Sequence, residues 1–191
     1  NKILNNVIVI IPARGGSKRL KNKNIFPFKG KPMIYWSIKA AKESFFANDI
    51  YVTSENQKIL SISKMFGAKV IERPRNLSKS NIFKIEALRH ANDYIEKQSN
   101  KTNSLIISLQ ANSPEICADD INKSVMHLIK FNRQEVISID NNNNSNAAIR
   151  VMKRNALYQK SLSTYLGCVS VKATDIHTIG DIKKILSKDE N

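Results

Sequence analysis

The chain has 191 residues, of which 41% are apolar and 25% are charged, and its formal net charge at pH 7 is +15. The apolar and charged fractions are ordinary for a soluble globular protein, and the length predicts a single domain over residues 1–191. No apolar run approaches the roughly 18 residues that a membrane-spanning helix needs, which argues against a membrane protein. The apolar stretch at 7–11 runs into a proline and a basic loop, unlike a signal peptide, so we expect a cytoplasmic protein.

The net charge raises nucleic acid as a candidate partner. The cations are mostly lysines spread along the chain, and aromatic residues are not interleaved with them as in a base-stacking surface. We therefore interpret part of the charge as a site for a polyanionic small molecule and keep nucleic acid only as an alternative. Cys117 and Cys168 lack the spacing of a metal site or a disulfide framework, and we expect two buried thiols.

Apolar runs alternate with helical patterns along the chain. The predicted strands cover residues 7–11, 50–53, 69–71, 104–109, 135–140, 147–152 and 167–171. The predicted helices cover residues 33–45, 57–66, 82–97, 119–131 and 179–187. This alternation predicts a mostly parallel sheet with helices on both faces, and in such sheets ligands bind beyond the carboxyl ends of the strands.

A glycine-containing basic loop, residues 14–24, directly follows the first predicted strand. Gly15 and Gly16 permit a tight turn that brings backbone N–H groups close to an anion, and Ser17 adds a hydroxyl donor. Arg14, Lys18 and Lys23 supply long cationic side chains that can surround a triphosphate. The loop matches neither a P-loop nor a dinucleotide fingerprint. A phosphate site is favoured over a solvated basic loop.

Four stretches carry a resemblance to a known family. They are IPARGGSKRLKNKNI with FKGKPMIYWSIKAA (11–41), ERPRNLS (72–78), SLQANSPEI (108–116) and TDIHTIGDIKKIL (174–186). In order and in spacing, they resemble the acylneuraminate cytidylyltransferases, the enzymes that activate sialic acids and related nonulosonic acids as CMP-sugars.

The resemblance implies a Rossmann-like three-layer α/β/α nucleotidyltransferase of the glycosyltransferase-A type, with a mostly parallel mixed sheet. The implied reaction transfers cytidylate from CTP to a 2-keto sugar acid and releases pyrophosphate. It implies Mg²⁺ as the cofactor, with Mn²⁺ as an alternative, and leaves a homodimer open.

Site residues follow from the positions that match the family's motifs. The implied nucleotide-binding residues are Arg14, Gly15, Gly16, Ser17, Lys18, Lys23, Asn24 and Arg73. The implied sugar-side residues are Gln110, Asn112 and Ser113, and the implied metal-site residues are Asp175 and His177. Among these, Arg14, Lys18, Lys23 and Asp175 would carry catalysis through charge neutralisation.

The chain departs from the family pattern at several positions. His177 stands where relatives carry a second acid, Ile116 replaces an arginine, and the segment at 53–56 lacks a usual aspartate. The dimerisation arm that relatives insert around residues 141–174 is predicted to be reduced or absent. In that case the sugar carboxylate could be bound by cations of this segment: Arg150, Lys153, Arg154 and Lys160. Two alternatives therefore stay open: a catalytically silent nucleotide-binding relative, and a nucleotidyltransferase for another sugar.

Overall fold

A seven-stranded mixed sheet forms the centre of the protein. The structure is a computed structural model that describes residues 4–17, 19–79 and 81–189. The strands within these ranges are β1 (Val7–Pro12), β2 (Pro27–Phe28), β3 (Lys31–Pro32), β4 (Asp49–Ser54), β5 (Lys69–Glu72), β6 (Leu105–Leu109), β7 (Glu135–Ile139), β8 (Ser145–Lys153) and β9 (Leu166–Ser170). β2 and β3 form a separate two-stranded hairpin.

The strand order in the large sheet is β5-β4-β1-β6-β8-β7-β9. β1 pairs in parallel with β4 and with β6, and β4 pairs in parallel with β5. β8 is antiparallel to both of its neighbours, β6 and β7, whereas β7 and β9 are parallel. The carboxyl ends of β1, β4, β5 and β6 therefore meet at one edge, where ligands bind in sheets of this kind.

Helices cover both faces of the sheet. Within the described ranges they are α1 (Met33–Glu43), α2 (Gln57–Met65), α3 (Lys84–Ser99), α4 (Ala118–Lys130), α5 (Arg154–Leu157) and α6 (Ile179–Asp189). Alternate residues of β1 point to opposite faces. Val7, Val9 and Ile11 pack with residues of α1, α2 and α4, while Ile8 and Ile10 pack with residues of α3 and α5. The result is a three-layer α/β/α core.

Local signals set the limits of the helices. The side chain of Asn56 accepts hydrogen bonds from the backbone N–H groups of Lys58 and Ile59, which caps α2. Gly67, with a φ of 82°, follows the end of the same helix in the left-handed conformation that favours glycine. Two aspartates lie in the first turn of α4, where they stabilise the helix dipole.

The predicted fold class is confirmed, and every predicted strand and helix is present, with ends that differ by at most two residues. The β2–β3 hairpin and α5 were not predicted, because elements of two to four residues leave little periodicity. The prediction of two buried thiols is wrong: Cys117 and Cys168 are both exposed. Cys117 precedes α4 as its N-cap, and Cys168 lies on β9, the edge strand, where a side chain can face solvent.

The segment at 141–174 returns to the sheet. β8, α5 and β9 lie within it, and β8 and β9 both pair with β7. A reduced dimerisation arm stays a prediction. None of the helices in the described ranges combines the length and the apolar character that crossing a bilayer requires.

Candidate active site

A pocket of about 330 Å³ opens at the carboxyl ends of β1 and β6. Three segments of the chain line it: the loop after β1, the segment from Arg73 into the first turn of α3, and the start of the loop after β6. The lining residues that carry polar or charged side chains are Arg14, Ser17, Lys23, Asn24, Arg73, Ser78, Lys79, Lys84, Gln110 and Asn112. Five of these are lysines or arginines, so the pocket favours an anionic ligand.

Gly15 begins the turn of the basic loop against the side chain of Asn56. A Cβ atom at Gly15 would lie 2.5 Å from Nδ2 and 2.9 Å from Cβ of Asn56, whereas one at Gly16 would meet nothing within 4 Å. Asn56 cannot easily move, since its side chain caps α2. The close approach of loop and helix therefore requires glycine at position 15 and not at position 16.

Glu55 connects the basic loop to Arg73. One carboxylate oxygen accepts a hydrogen bond from the Gly15 N–H at 2.7 Å, and the other accepts one from Nη2 of Arg73 at 3.2 Å. Burial alone would raise the pKa of Glu55, but these bonds, with others from its own N–H and from Ser78, hold it below its ordinary value. The sequence predicts that the backbone N–H of Gly15 binds an anionic ligand. In the structure this N–H donates to the carboxylate of Glu55 instead.

Arg73 is almost fully buried, with 4% of its surface exposed, and directly follows β5. Its Nε donates to Oγ of Ser78 at 2.9 Å, and its backbone N–H donates to the carbonyl oxygen of Ser54. Burial lowers the pKa of this guanidinium, and Glu55 opposes that effect. A buried, oriented arginine at the pocket wall is suited to binding a planar or anionic group.

Lys23, His177 and Asp175 lie close together at the other end of the basic loop. Nζ of Lys23 lies 3.3 Å from Nδ1 of His177, and Nε2 of His177 lies 2.9 Å from Oδ2 of Asp175. A charged lysine can only donate, so Nδ1 of His177 is the acceptor of this hydrogen bond. Burial lowers the pKa of Lys23, and the charge of Asp175 opposes that effect.

Asn112 fixes Asp175 beside the end of β6. Its Nδ2 donates to Oδ1 of Asp175 and, at 2.8 Å, to the carbonyl oxygen of Ile176. The backbone N–H of Ile176 donates in return to the carbonyl oxygen of Asn112. Gln110 is oriented by the hydroxyl of Ser113, which donates to its Oε1 at 3.2 Å. These bonds place one carboxylate at the edge of the cationic pocket.

A family model described as Cytidylyltransferase matches residues 8–167, most of the chain. The chain belongs to the cytidylyltransferase family. The matched region contains the basic loop, Glu55, Arg73 and Asn112, and it ends before Asp175. The resemblance on which the sequence prediction rested is confirmed.

Curated relatives carry three related names. The chain is 36% identical over 108 residues to pseudaminic acid cytidylyltransferase of Campylobacter jejuni subsp. jejuni serotype O:23/36 (strain 81-176), covering 56% of this chain and 46% of that protein. It is 35% identical over 85 residues to N-acylneuraminate cytidylyltransferase of Escherichia coli O18:K1:H7, covering 44% and 20%. It is 31% identical over 155 residues to 3-deoxy-manno-octulosonate cytidylyltransferase of Wigglesworthia glossinidia brevipalpis, covering 81% and 57%. The chain spans about half or less of the length of these relatives.

Solved structures share the fold across nearly the whole chain. CMP:2-keto-3-deoxy-manno-octonic acid synthetase complexed with CTP superposes with a TM-score of 0.76 at 16% identity, covering 98% of this chain and all of that one. Rv0371c of Mycobacterium tuberculosis, solved as a manganese complex, superposes with a TM-score of 0.62 at 9% identity, covering 96% and 99%. At these identities the likeness concerns the fold alone.

The structure brings most of the predicted site residues to one pocket. Arg14, Ser17, Lys23, Asn24, Arg73, Gln110 and Asn112 line it. Ser113 is fully buried behind Gln110 and does not line it. Asp175 and His177 lie beside it through their bonds to Asn112 and Lys23. Lys18, predicted as a triphosphate-binding and catalytic residue, lies outside the described residues.

Sequence reasoning missed the third part of the lining. Lys79, Ile82, Phe83, Lys84 and Ala87 also line the pocket. The helix was predicted from Ile82, but it begins at Lys84, so Ile82 and Phe83 belong to the loop that reaches the pocket. The arginines predicted for the sugar carboxylate have other partners: Arg150 is bonded to Glu135 and Arg154 to Glu96.

Proposed function

We propose that the chain transfers cytidylate from CTP to the anomeric hydroxyl of a nonulosonic acid, such as a sialic, legionaminic or pseudaminic acid, and releases pyrophosphate. The observation that carries this proposal is the convergence of Arg14, Lys23 and Arg73 on one pocket, within the region that the family model matches. The names of the curated relatives support a sugar acid as the acceptor. Since CTP is an intracellular nucleotide, we place the enzyme in the cytoplasm.

The residues of the pocket have complementary tasks in this reaction. The sugar hydroxyl oxygen forms a bond to the α-phosphorus, the bond to the pyrophosphate oxygen breaks, and the hydroxyl proton is lost to solvent. Arg14, Ser17 and Lys23 bind the triphosphate and neutralise the charge that develops on the departing pyrophosphate. Arg73, held by Glu55, orients the nucleoside together with Asn24. Gln110 and Asn112 contact the sugar acid.

Asp175 and His177 would hold a divalent metal, Mg²⁺ with Mn²⁺ as the alternative. The donor set fits such an ion in part: the Asp175 carboxylate is 34% exposed beside the pocket, and a carboxylate can accept more bonds than the two it receives. No group of three His, Cys, Asp or Glu side chains in the described ranges is arranged to hold a metal. Mg²⁺ is commonly held by one or two carboxylates and substrate phosphates. When bound, the metal neutralises charge on the phosphate oxygens.

Two further candidates rest on particular residues. His177 in place of a second acid favours a silent relative that binds CTP without turnover, and Ile116 in place of an arginine favours another sugar.

The return of residues 145–170 to the sheet supports a single domain with a reduced arm, in which any homodimer uses another surface. Light scattering of the purified chain measures its oligomeric state.

The proposal is tested by pyrophosphate release. The chain is incubated with CTP, with Mg²⁺ or Mn²⁺, and with a panel containing N-acetylneuraminic, legionaminic and pseudaminic acids and 3-deoxy-manno-octulosonate. We expect release with CTP and one nonulosonic acid, and none when ATP replaces CTP. Binding of CTP without release on any sugar would favour the silent relative, and release only with the octulosonate would favour another sugar.

A further inference from the structure

Lys84 is a cation of the pocket that neither the sequence motifs nor the relatives assign to a task. It is the first residue of α3 and lines the pocket together with Ile82, Phe83 and Ala87. Lys84 is exposed, and it forms part of the pocket wall. The ammonium group is thus presented to a bound ligand, while apolar side chains lie beside it.

The side chain of Lys84 has no hydrogen bond or ion pair with any residue in 4–17, 19–79 or 81–189. Three other cations in or near the pocket have partners. Arg73 is bonded to Glu55, Lys23 is bonded to His177, and Arg150 is bonded to Glu135. A cation that the fold places in a pocket without a partner of its own is available to an anionic ligand.

Two charged residues act on Lys84. Asp175 attracts its charge and Arg150 repels it, while Asp175 also attracts Lys23. Asp175 therefore acts on two lysines, one from the basic loop and one from α3. Desolvation lowers the pKa of Lys84 to about 8, and a bound anion would stabilise its charged form.

We propose that Lys84 is a substrate-binding residue whose ammonium group binds an anionic oxygen of the substrates during nucleotidyl transfer. The proposal rests on the proposed function. It gives Lys84 the role of binding an anionic group of the substrates, a role that was predicted for Arg150 and Arg154. Two groups share the required chemistry, a phosphate oxygen of CTP and the carboxylate of the sugar acid.

The test compares Lys84→Met, Lys84→Arg and, as a matched control on the exposed part of the same helix, Lys97→Met. Circular dichroism checks that each variant folds. Calorimetry measures the Kd for CTP, and pyrophosphate release measures the KM for the sugar acid and the kcat. Removing a hydrogen bond to a charged group reduces affinity by about tenfold or more, and Lys84→Arg restores part of it.

The two arms distinguish the source of the anion. A weaker Kd for CTP in Lys84→Met assigns the contact to a phosphate, and a raised KM for the sugar at an unchanged Kd for CTP assigns it to the carboxylate. Values equal to those of Lys97→Met in both assays overturn the proposal. If the wild-type chain binds no CTP, the proposed function fails, and titration with inorganic pyrophosphate still tests Lys84: equal affinities for wild type and Lys84→Met overturn its role.

Discussion

Nε2 of His177 lies 2.9 Å from Oδ2 of Asp175. The proton is on Nε2 because the Lys23 ammonium occupies Nδ1 as a donor. His177 therefore holds together a lysine of the basic loop and the carboxylate proposed for the metal. A second carboxylate at this position would bind a hard cation more strongly than an imidazole does.

Replacing His177 by Asp should strengthen metal binding. In the presence of CTP, we expect His177→Asp to lower the apparent Kd for Mg²⁺ by about tenfold, since a charged oxygen ligand replaces a neutral nitrogen. The measurement is displacement of Mn²⁺, followed by electron paramagnetic resonance, by added Mg²⁺. His177→Asn is the control because it removes the imidazole without adding a charge. Equal Mg²⁺ affinities for the Asp and Asn variants would contradict a metal position at His177.

Replacement by alanine should destabilise the protein much more at Gly15 than at Gly16. Gly15→Ala places a methyl group against Asn56 and should lower the free energy of unfolding by about 1–3 kcal/mol through overpacking. It should also weaken CTP binding, since the basic loop moves away from α2. Gly16→Ala meets no neighbour within 4 Å and should cost much less stability. Urea denaturation with a parallel CTP titration checks both effects; similar losses in the two variants would mean that the contact with Asn56 is not what requires glycine.

Glu55 should be essential for the position of Arg73. Glu55→Gln keeps the size of the side chain but removes the charge beside a guanidinium that is 4% exposed. We expect a loss of about 3 kcal/mol in the free energy of unfolding, near the lower end of the range for a broken buried pair. Glu43→Gln, which breaks an exposed pair with Lys39, should cost only about 0.5 kcal/mol. Chemical denaturation measures both variants.

The same carboxylate should contribute to acid denaturation. Because the pKa of Glu55 is lowered below 4.5 in the folded state, the unfolded chain binds more protons as the pH falls below that value. The stabilisation is therefore present above pH 4.5 and is lost as the pH falls through the folded pKa. The unfolding free energy of wild type should fall more steeply below pH 4.5 than that of Glu55→Gln. If the unfolding free energies of the two proteins fell equally steeply with pH, the bonds to Gly15 and Arg73 would not lower the pKa of Glu55.

Substrate affinity should fall as the pH rises through about 8. Lys84 has a pKa of about 8 in the free protein, and the charged groups that act on it are Asp175 and Arg150. Above that pH it loses the proton that an anionic ligand needs, so the Kd or KM assigned to it should rise. Lys84→Arg keeps its charge and should lack this step. An equal rise of the Kd or KM near pH 8 in wild type and in Lys84→Arg would mean that another group titrates.

The periodic elements of the fold were predictable from the sequence, and the reasons are local. The run at 7–11 is apolar on both faces and could only be a buried strand, as β1 is. The Asn56 cap and Gly67 limit α2 through bonds within a few residues. The basic loop was recognisable because glycines and cations follow a buried strand. Arg73, Gln110 and Asn112 were found only through their resemblance to family motifs.

The remaining site residues depend on contacts between distant segments. Glu55 was not predicted, because its partners at Gly15 and Arg73 lie 40 and 18 residues away. Lys84 falls within a predicted helix with an apolar face, and only the three-dimensional structure places it at the pocket. Nothing in the sequence indicated that Glu135 would neutralise Arg150, since that pair depends on the register of β7 against β8.

Calorimetric titration with CTP tests most directly the claim that the pocket between the basic loop and Arg73 is a cytidine triphosphate site. The account predicts that the wild-type chain binds CTP more tightly than ATP or GTP. Lys23→Met should weaken CTP binding by about tenfold or more, while the exposed-surface variant Lys97→Met should bind like wild type. Equal affinity for all three nucleotides, or a Lys23→Met variant with the wild-type Kd, would contradict it.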